Sequence, residues 1–245
     1  MKRILLLAGL VAILAGCAQK DGDTLKMITE ATFPPYEFLR GQEIVGIDVE
    51  ICRAVAQKLG RTFAVESVNF DSVIPTVISG KADVAAAGIT VTEDRKKNVD
   101  FSVPYVKTGV VFVFKRAFPY AKGADARGKK VGVQSGTTSE SYVVDVLKQQ
   151  PERFDSPAAA VAALQAGRVD VVIADIEPAR NCVKGEADLA ISGFITTEEY
   201  AVAIRKGQPG LLKAINETIA ELKANGKLAA WTKQFTDESD RLKDK

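Results

Sequence analysis

Histidine is absent from all 245 residues. Its absence removes the Ser-His-Asp and Cys-His arrangements of nucleophilic catalysis, along with histidine-based metal centres. An excess of charge of either sign is missing too. The formal net charge is +2, and without Lys2 and Arg3 the 33 basic residues fall to parity with the 31 acidic ones. Such a balance leaves no basic face large enough for nucleic acid. Cysteine is confined to Cys17, Cys52 and Cys182. The last two fall at apolar helical positions, where a thiol packs as a small hydrophobe, so two buried thiols are expected rather than a disulfide. Gly132-Val133-Gln134-Ser135-Gly136-Thr137-Thr138 has too few residues between its glycines, and no lysine, for a Walker phosphate loop.

What is present begins with Lys2 and Arg3, the apolar run Ile4–Leu14, and Ala15-Gly16-Cys17. The run is well short of the ~20 residues a membrane-spanning helix needs. A basic start, a short apolar stretch and small residues read as a secretory signal over residues 1–16. Leu14-Ala15-Gly16-Cys17 resembles the lipobox of bacterial lipoproteins. That resemblance implies that Cys17 carries the lipid, so that the chain is anchored at a membrane without crossing it. Residues 17–24 then read as a lipidated flexible tether, small and polar from Ala18 to Asp23.

Helix and strand patterns alternate through the remainder. Ile47, Ile51, Ala54, Val55 and Leu59 repeat at helical spacing before Gly60. Asp71 is expected to cap a second helix with Pro75 in its first turn, and Ala82 to Gly88 reads as a buried strand. This β-α-β-like series predicts a parallel sheet flanked by helices. A second series contains a strand at 130–133, helices at 137–149 and 158–166, and a strand at 169–174, with the loop at 125–128 as the divider. Two helices follow Pro209. Two α/β lobes make a cleft, where small-molecule sites preferentially form.

Two features in this pattern suit carboxylate recognition. Thr137 followed by Glu140 is a capping box, which either merely starts a helix or offers its free N–H groups to an anion. Arg95 lies in the charged run Glu93-Asp94-Arg95-Lys96-Lys97, either as part of a solvated face or as a two-pronged carboxylate grip.

The segments Phe70–Pro75, Gly80–Asp83, Gly88–Arg95 (GITVTEDR) and Val99–Tyr105 resemble the polar amino-acid-binding proteins of bacterial ABC importers, solute-binding protein family 3. Thr32–Phe38, Gly46–Glu50, Gly128–Val133 with Gly136-Thr137, and Glu198–Gly207 fit the same pattern, although Ala201 stands where relatives often have glycine. The resemblance implies an α/β, two-lobed periplasmic-binding-protein fold (type II), each lobe a mixed sheet flanked by helices. Two hinge crossovers are implied near Thr108–Val111 and Thr196–Tyr200. Lobe 1 would comprise residues 25–108 and 198–245, and lobe 2 residues 109–197.

On this likeness Arg95 holds the ligand's α-carboxylate, assisted by Thr137 and Thr138. The Gly88 carbonyl, the Thr90 hydroxyl and Asp175 receive its α-ammonium. Asp175 alone would equally suit a helix N-cap before a segment starting near Pro178. Phe33 and Phe70 would flank the side chain, with Glu30 meeting a distal cation, which favours arginine or another basic amino acid. Gln134 and Ser139 would equally read a neutral amide, making glutamine the alternative. The implied partners are a free L-amino acid, an ABC permease and the membrane holding the lipid anchor. The protein would be an exported monomer, periplasmic or at the cell surface, with no cofactor, metal or catalytic residue. Two other classes compete: a sensory binding module, and a cyclohexadienyl-dehydratase-like enzyme with Glu177 as its acid.

Overall fold

In the computed structural model, residues 24–120 and 122–243 are described. Cys17 and the proposed signal segment lie outside the described residues. The chain begins with β1 (Thr24–Thr29), then a small antiparallel sheet of β2 (Thr32–Phe33), β3 (Glu37–Arg40) and β4 (Glu43–Val45). Helix α1 (Ile47–Lys58) buries Ile47, Ile51, Cys52 and Val55 along one stripe, as the spacing requires. Next come β5 (Thr62–Ser67), α2 (Phe70–Ile78), β6 (Val84–Ala85), the short α3 (Glu93–Lys96) and β7 (Val99–Phe101). Strand β8 (Val106–Lys115) then leads into a second unit. This holds β9 (Val131–Gln134), α4 (Thr138–Asp145), β10 (Glu152–Phe154), α5 (Pro157–Gln165), β11 (Val171–Asp175) and α6 (Ile176–Val183). Strand β12 (Leu189–Tyr200) leads back to β13 (Ala203–Arg205), α7 (Pro209–Ala224) and α8 (Lys227–Lys243).

Two five-stranded sheets result, ordered β5-β1-β6-β13-β7 and β10-β9-β11-β8-β12. Each has apolar clusters on both faces. In the first, α1 and α7 pack Ile51, Val55, Ile215 and Ile219 against Leu25 and Met27, while α2 covers the opposite face with Val73 and Val77. In the second, Val143 of α4 and Leu164 of α5 belong to separate clusters built on Val133 and Val172. Burying one such side chain contributes about 1.5–3 kcal/mol.

Several local expectations need correction. The sheets are mixed rather than parallel, because β13 runs antiparallel to β6 and β7, and β8 antiparallel to β11 and β12. The divider at 125–128 is misplaced: β8 precedes it and already belongs to the second sheet. Asp71 does not cap α2; the cap position is Asn69, and Pro75 lies inside the helix. The strand at 82–88 shrinks to Val84–Ala85, since the chain turns away into Gly88 at φ 56°. Helix α4 stops at Asp145, well before 149. Cys52 is buried on α1, but Cys182 on α6 is only half-buried; both are thiols.

This topology positions the site. Thr29, Gln134 and Asp175 close β1, β9 and β11, and Gly88 follows β6, so the carboxyl ends of parallel strands from both sheets face one cleft. In open α/β sheets, ligands bind in that crevice.

Candidate functional site

Phe33, Phe70, Gly88, Thr90, Arg95, Gln134, Thr137, Thr138 and Asp175 line a single small cavity between the two sheets. Phe33, Phe70, Gly88, Thr90 and Arg95 come from the first unit, and the other four from the second.

Arg95 is aimed by its short helix. Thr92 caps α3 by accepting the Arg95 N–H at 3.1 Å, which sends the side chain back over the loop. Its Nη1 donates to the Thr90 carbonyl at 2.9 Å and its Nη2 to the Gly136 carbonyl at 3.0 Å, so the guanidinium bridges the units. The Phe70 ring supports it, with Cζ 5.5 Å from the ring centroid. Burial lowers the Arg95 pKa, opposed by the nearby Glu198 and Asp175 charges. Opposite lies the N-terminus of α4. The Thr137 hydroxyl caps it by accepting from the Glu140 N–H at 3.3 Å. Glu140 returns a bond to the Gly136 N–H at 2.8 Å, one residue earlier than an ordinary capping box.

Asp175 stands at the N-cap position of α6, yet its side chain makes no capping bond. It accepts instead from the Tyr200 hydroxyl at 2.5 Å, beside the cavity. Burial, reinforced by the Glu198 charge, pushes its pKa up to about 7, while Tyr200 and Arg95 pull the other way. A buried carboxylate held in this way is poised for a cation.

Gly88 cannot be replaced without strain. Its φ is 56°, and an added Cβ would lie 2.7 Å from the Phe33 ring. Its N–H donates at 3.0 Å to Asp48, which is buried at the start of α1 and also accepts from the Tyr105 hydroxyl at 2.7 Å. Asp48 lies beside the fully buried Glu37, and burial raises both carboxyls, Asp48 to about 6.

Two selected residues stand back from the cavity. Glu30 is buried behind it, bonded to Thr32 and within hydrogen-bonding reach of Gln134, and burial raises its pKa. Ser139 is buried one residue into α4 and is not among the cavity-lining residues. Glu177 turns along α6 to Arg180 at 2.9 Å, outside the cavity lining. Sequence reasoning assigned no role to Tyr200, Glu198, Asp48 or Glu37. Glu37 and Asp48 had a signal in the quoted motifs, as acids between apolar neighbours; Glu198 and Tyr200, in Thr196-Thr197-Glu198-Glu199-Tyr200, had none.

The units also meet beyond the cavity. Asn181 Nδ2 donates to the Pro34 carbonyl at 2.8 Å, and Lys184 pairs with Asp240 at 3.2 Å. Gly136 sits at φ 77° with space for a Cβ only 3.0 Å from the Asp71 Cα, which is backbone and cannot swing aside. Gly136→Ala is therefore expected to cost about 1–2 kcal/mol in the left-handed region alone and to obstruct the approach of the two units. Calorimetry should show weakened amino-acid affinity, and small-angle scattering a larger radius of gyration with amino acid present.

Comparisons with known proteins agree on one family. Residues 25–238 match the bacterial extracellular solute-binding proteins, family 3, and residues 1–18 match a prokaryotic membrane lipoprotein lipid attachment site. The chain is 30% identical to the ABC transporter arginine-binding protein 1 of Escherichia coli (strain K12), over 92% of this chain and 95% of that one. It is 32% identical to the L-cystine-binding protein TcyJ of the same strain, over 88% and 84%. An ancestral arginine-binding protein bound to arginine superposes with a TM-score of 0.81 at 39% identity, covering 87% of this chain and 98% of that one. With glutamine bound, the values are 0.80, 40%, 87% and 97%. These neighbours share the two-lobed type II periplasmic-binding-protein architecture.

Proposed function

The chain belongs to the bacterial extracellular solute-binding proteins, family 3, and from that premise we propose that its cleft captures arginine or another basic amino acid for an ABC permease. Amino-acid binding as part of an ABC transporter is the role that its relatives support. The family is one of solute-binding proteins rather than enzymes. A lipid attachment site and an extracellular family point to an exported, membrane-anchored protein. No helix among the described residues is long and apolar enough to cross a membrane.

One observation carries the reading of the site. Arg95 and Asp175, opposite charges from different units, line the same small cavity. A free amino acid carries the complementary pair of charges. Its carboxylate would lie between Arg95 and the α4 N-terminus at Thr137 and Thr138. Its ammonium would take the Gly88 carbonyl, the Thr90 hydroxyl and Asp175. Only the closed arrangement supplies both sets, so binding energy drives closure. Phe33 and Phe70 supply aromatic walls, and Glu30, behind Gln134, supplies the negative charge that favours a cationic side chain. Gln134 itself, which donates to the Asp155 carbonyl at 3.1 Å, supports glutamine as the second reading. The protein is proposed to act as a monomer, with lobes 25–108 plus 198–245 and 109–197.

A thermal-shift screen with the twenty amino acids, ornithine and citrulline tests this. Ligand at a hundred times its Kd should stabilise the native state by about 2.7 kcal/mol, and arginine should give the largest rise in Tm. A rise with glutamine alone would move the assignment to the second reading. No rise with any amino acid would sink both.

A further inference from the structure

Glu198 is a buried acid at the second crossover, behind Thr90 of the cavity lining. Strand register sets it opposite Thr108 of β8. Its Oε2 accepts from the Thr90 hydroxyl at 2.5 Å, with both groups buried. The surrounding backbone is tied as firmly: Thr90 bridges Tyr200, the Val91 N–H donates to the Glu199 carbonyl at 2.9 Å, and the Ala201 N–H donates to the Ile89 carbonyl at 3.1 Å. A threonine hydroxyl owns one hydrogen. Once that hydrogen is committed to a carboxylate, the hydroxyl can offer the cavity only its lone pairs. An ammonium offers only hydrogens, so it needs a hydroxyl held this way round.

We propose that Glu198 is a positioning residue for the ligand's ammonium, acting through the Thr90 hydroxyl, which it fixes as an acceptor. The inference rests on the reading of the cleft as an amino-acid site. Residues two apart on a strand share a face. Glu198 and Tyr200 are such a pair on β12, and they bond to Thr90 of one unit and Asp175 of the other. A single hinge strand thereby aligns ammonium acceptors from both sides of the cleft.

The test is a double-mutant cycle read by calorimetry with L-arginine, using the parent, Glu198→Gln, Thr90→Val and the double variant. Glutamine and valine preserve the shapes they replace. Each single substitution should weaken binding about tenfold or more, the loss typical of a hydrogen bond to a charged group. The double variant should be no weaker than the worse single one. The α-deamino analogue of arginine, which has no ammonium to place, should bind the parent and Glu198→Gln equally. Multiplying losses, an equal loss for the deamino analogue, or parental affinity in Glu198→Gln would each overturn the proposal. A misfolded variant would lose both ligands together, and that result also counts against it. If the parent instead binds a different amino acid, the arginine assignment alone fails, and the same cycle with that amino acid and its deamino analogue decides on Glu198. A parent that binds no amino acid overturns both.

Discussion

Arg95→Ala should lower the affinity for L-arginine by about 2–5 kcal/mol, roughly thirtyfold to several thousandfold, while leaving the protein folded. The size follows from what remains behind. The ligand carboxylate would stay buried against the α4 N-terminus with no guanidinium opposite it, and an uncompensated buried charge is costly. The fold should tolerate the loss because α3 contributes no buried residue, and the Arg95 side-chain bonds go to two loop carbonyls, Thr90 and Gly136. Arg95→Lys separates charge from geometry. Lysine keeps the positive charge but cannot donate in a fork, nor stack as well on Phe70, so it should recover only part of the affinity. Calorimetry on both variants, with Tm as the folding control, is the measurement. Parental affinity in Arg95→Ala would remove the carboxylate grip from the proposal.

Of the helices, α1 and α4 were legible because each carries a simple signal, whereas α3, which aims Arg95, was read only as a charged run. The spacing of Ile47, Ile51 and Val55 marks the buried face of α1, and Thr137 with Glu140 marks the start of α4. The residues gathered at the cavity were legible only through resemblance. Nothing in local periodicity says that Gly88 and Asp175, far apart in the chain, end neighbouring crevice walls. Strand boundaries read poorly where burial is uniform. From Ala82 to Thr90 every residue except Asp83 is buried, so neither alternation nor a polar break shows where pairing stops. The inner acids were missed for a related reason. Glu37 and Asp48 sit in motifs that look like strand and helix starts, and their partnership appears only when α1 packs over the β2–β4 sheet. Asp175 carried two compatible readings from sequence. The structure puts it at the cap position but turns its carboxyl to Tyr200, a choice that tertiary packing makes and local sequence does not.

That choice leads to a second large effect, through protons. In the protein alone, burial and the Glu198 charge lift the Asp175 pKa from 3.8 to about 7, with Tyr200 and Arg95 opposing. Tyr36 and Glu37 are its other ionisable neighbours, and both are themselves raised by burial. The folded pKa exceeds the unfolded value, so the folded protein holds the extra proton. The associated stability is fully present below about pH 4 and is lost as pH rises through about 7. Asp48, raised to about 6, acts in the same direction. Melting experiments without amino acid should therefore show a smaller Tm at pH 8 than at pH 6. Ligand reverses the sign. An ammonium beside Asp175 favours the carboxylate, so binding below pH 7 must expel the proton, and affinity should fall by up to about tenfold per pH unit on acidification. Calorimetry at pH 6 in buffers of different ionisation enthalpy should report net proton release. Asp175→Asn removes both the charge and the titration. It should cost about 2–5 kcal/mol at pH 8 and leave a nearly flat affinity profile between pH 5 and 8. A variant that binds weakly but keeps the parental slope would place the titrating group elsewhere, and no proton release by the parent would mean that the ammonium does not meet this acid.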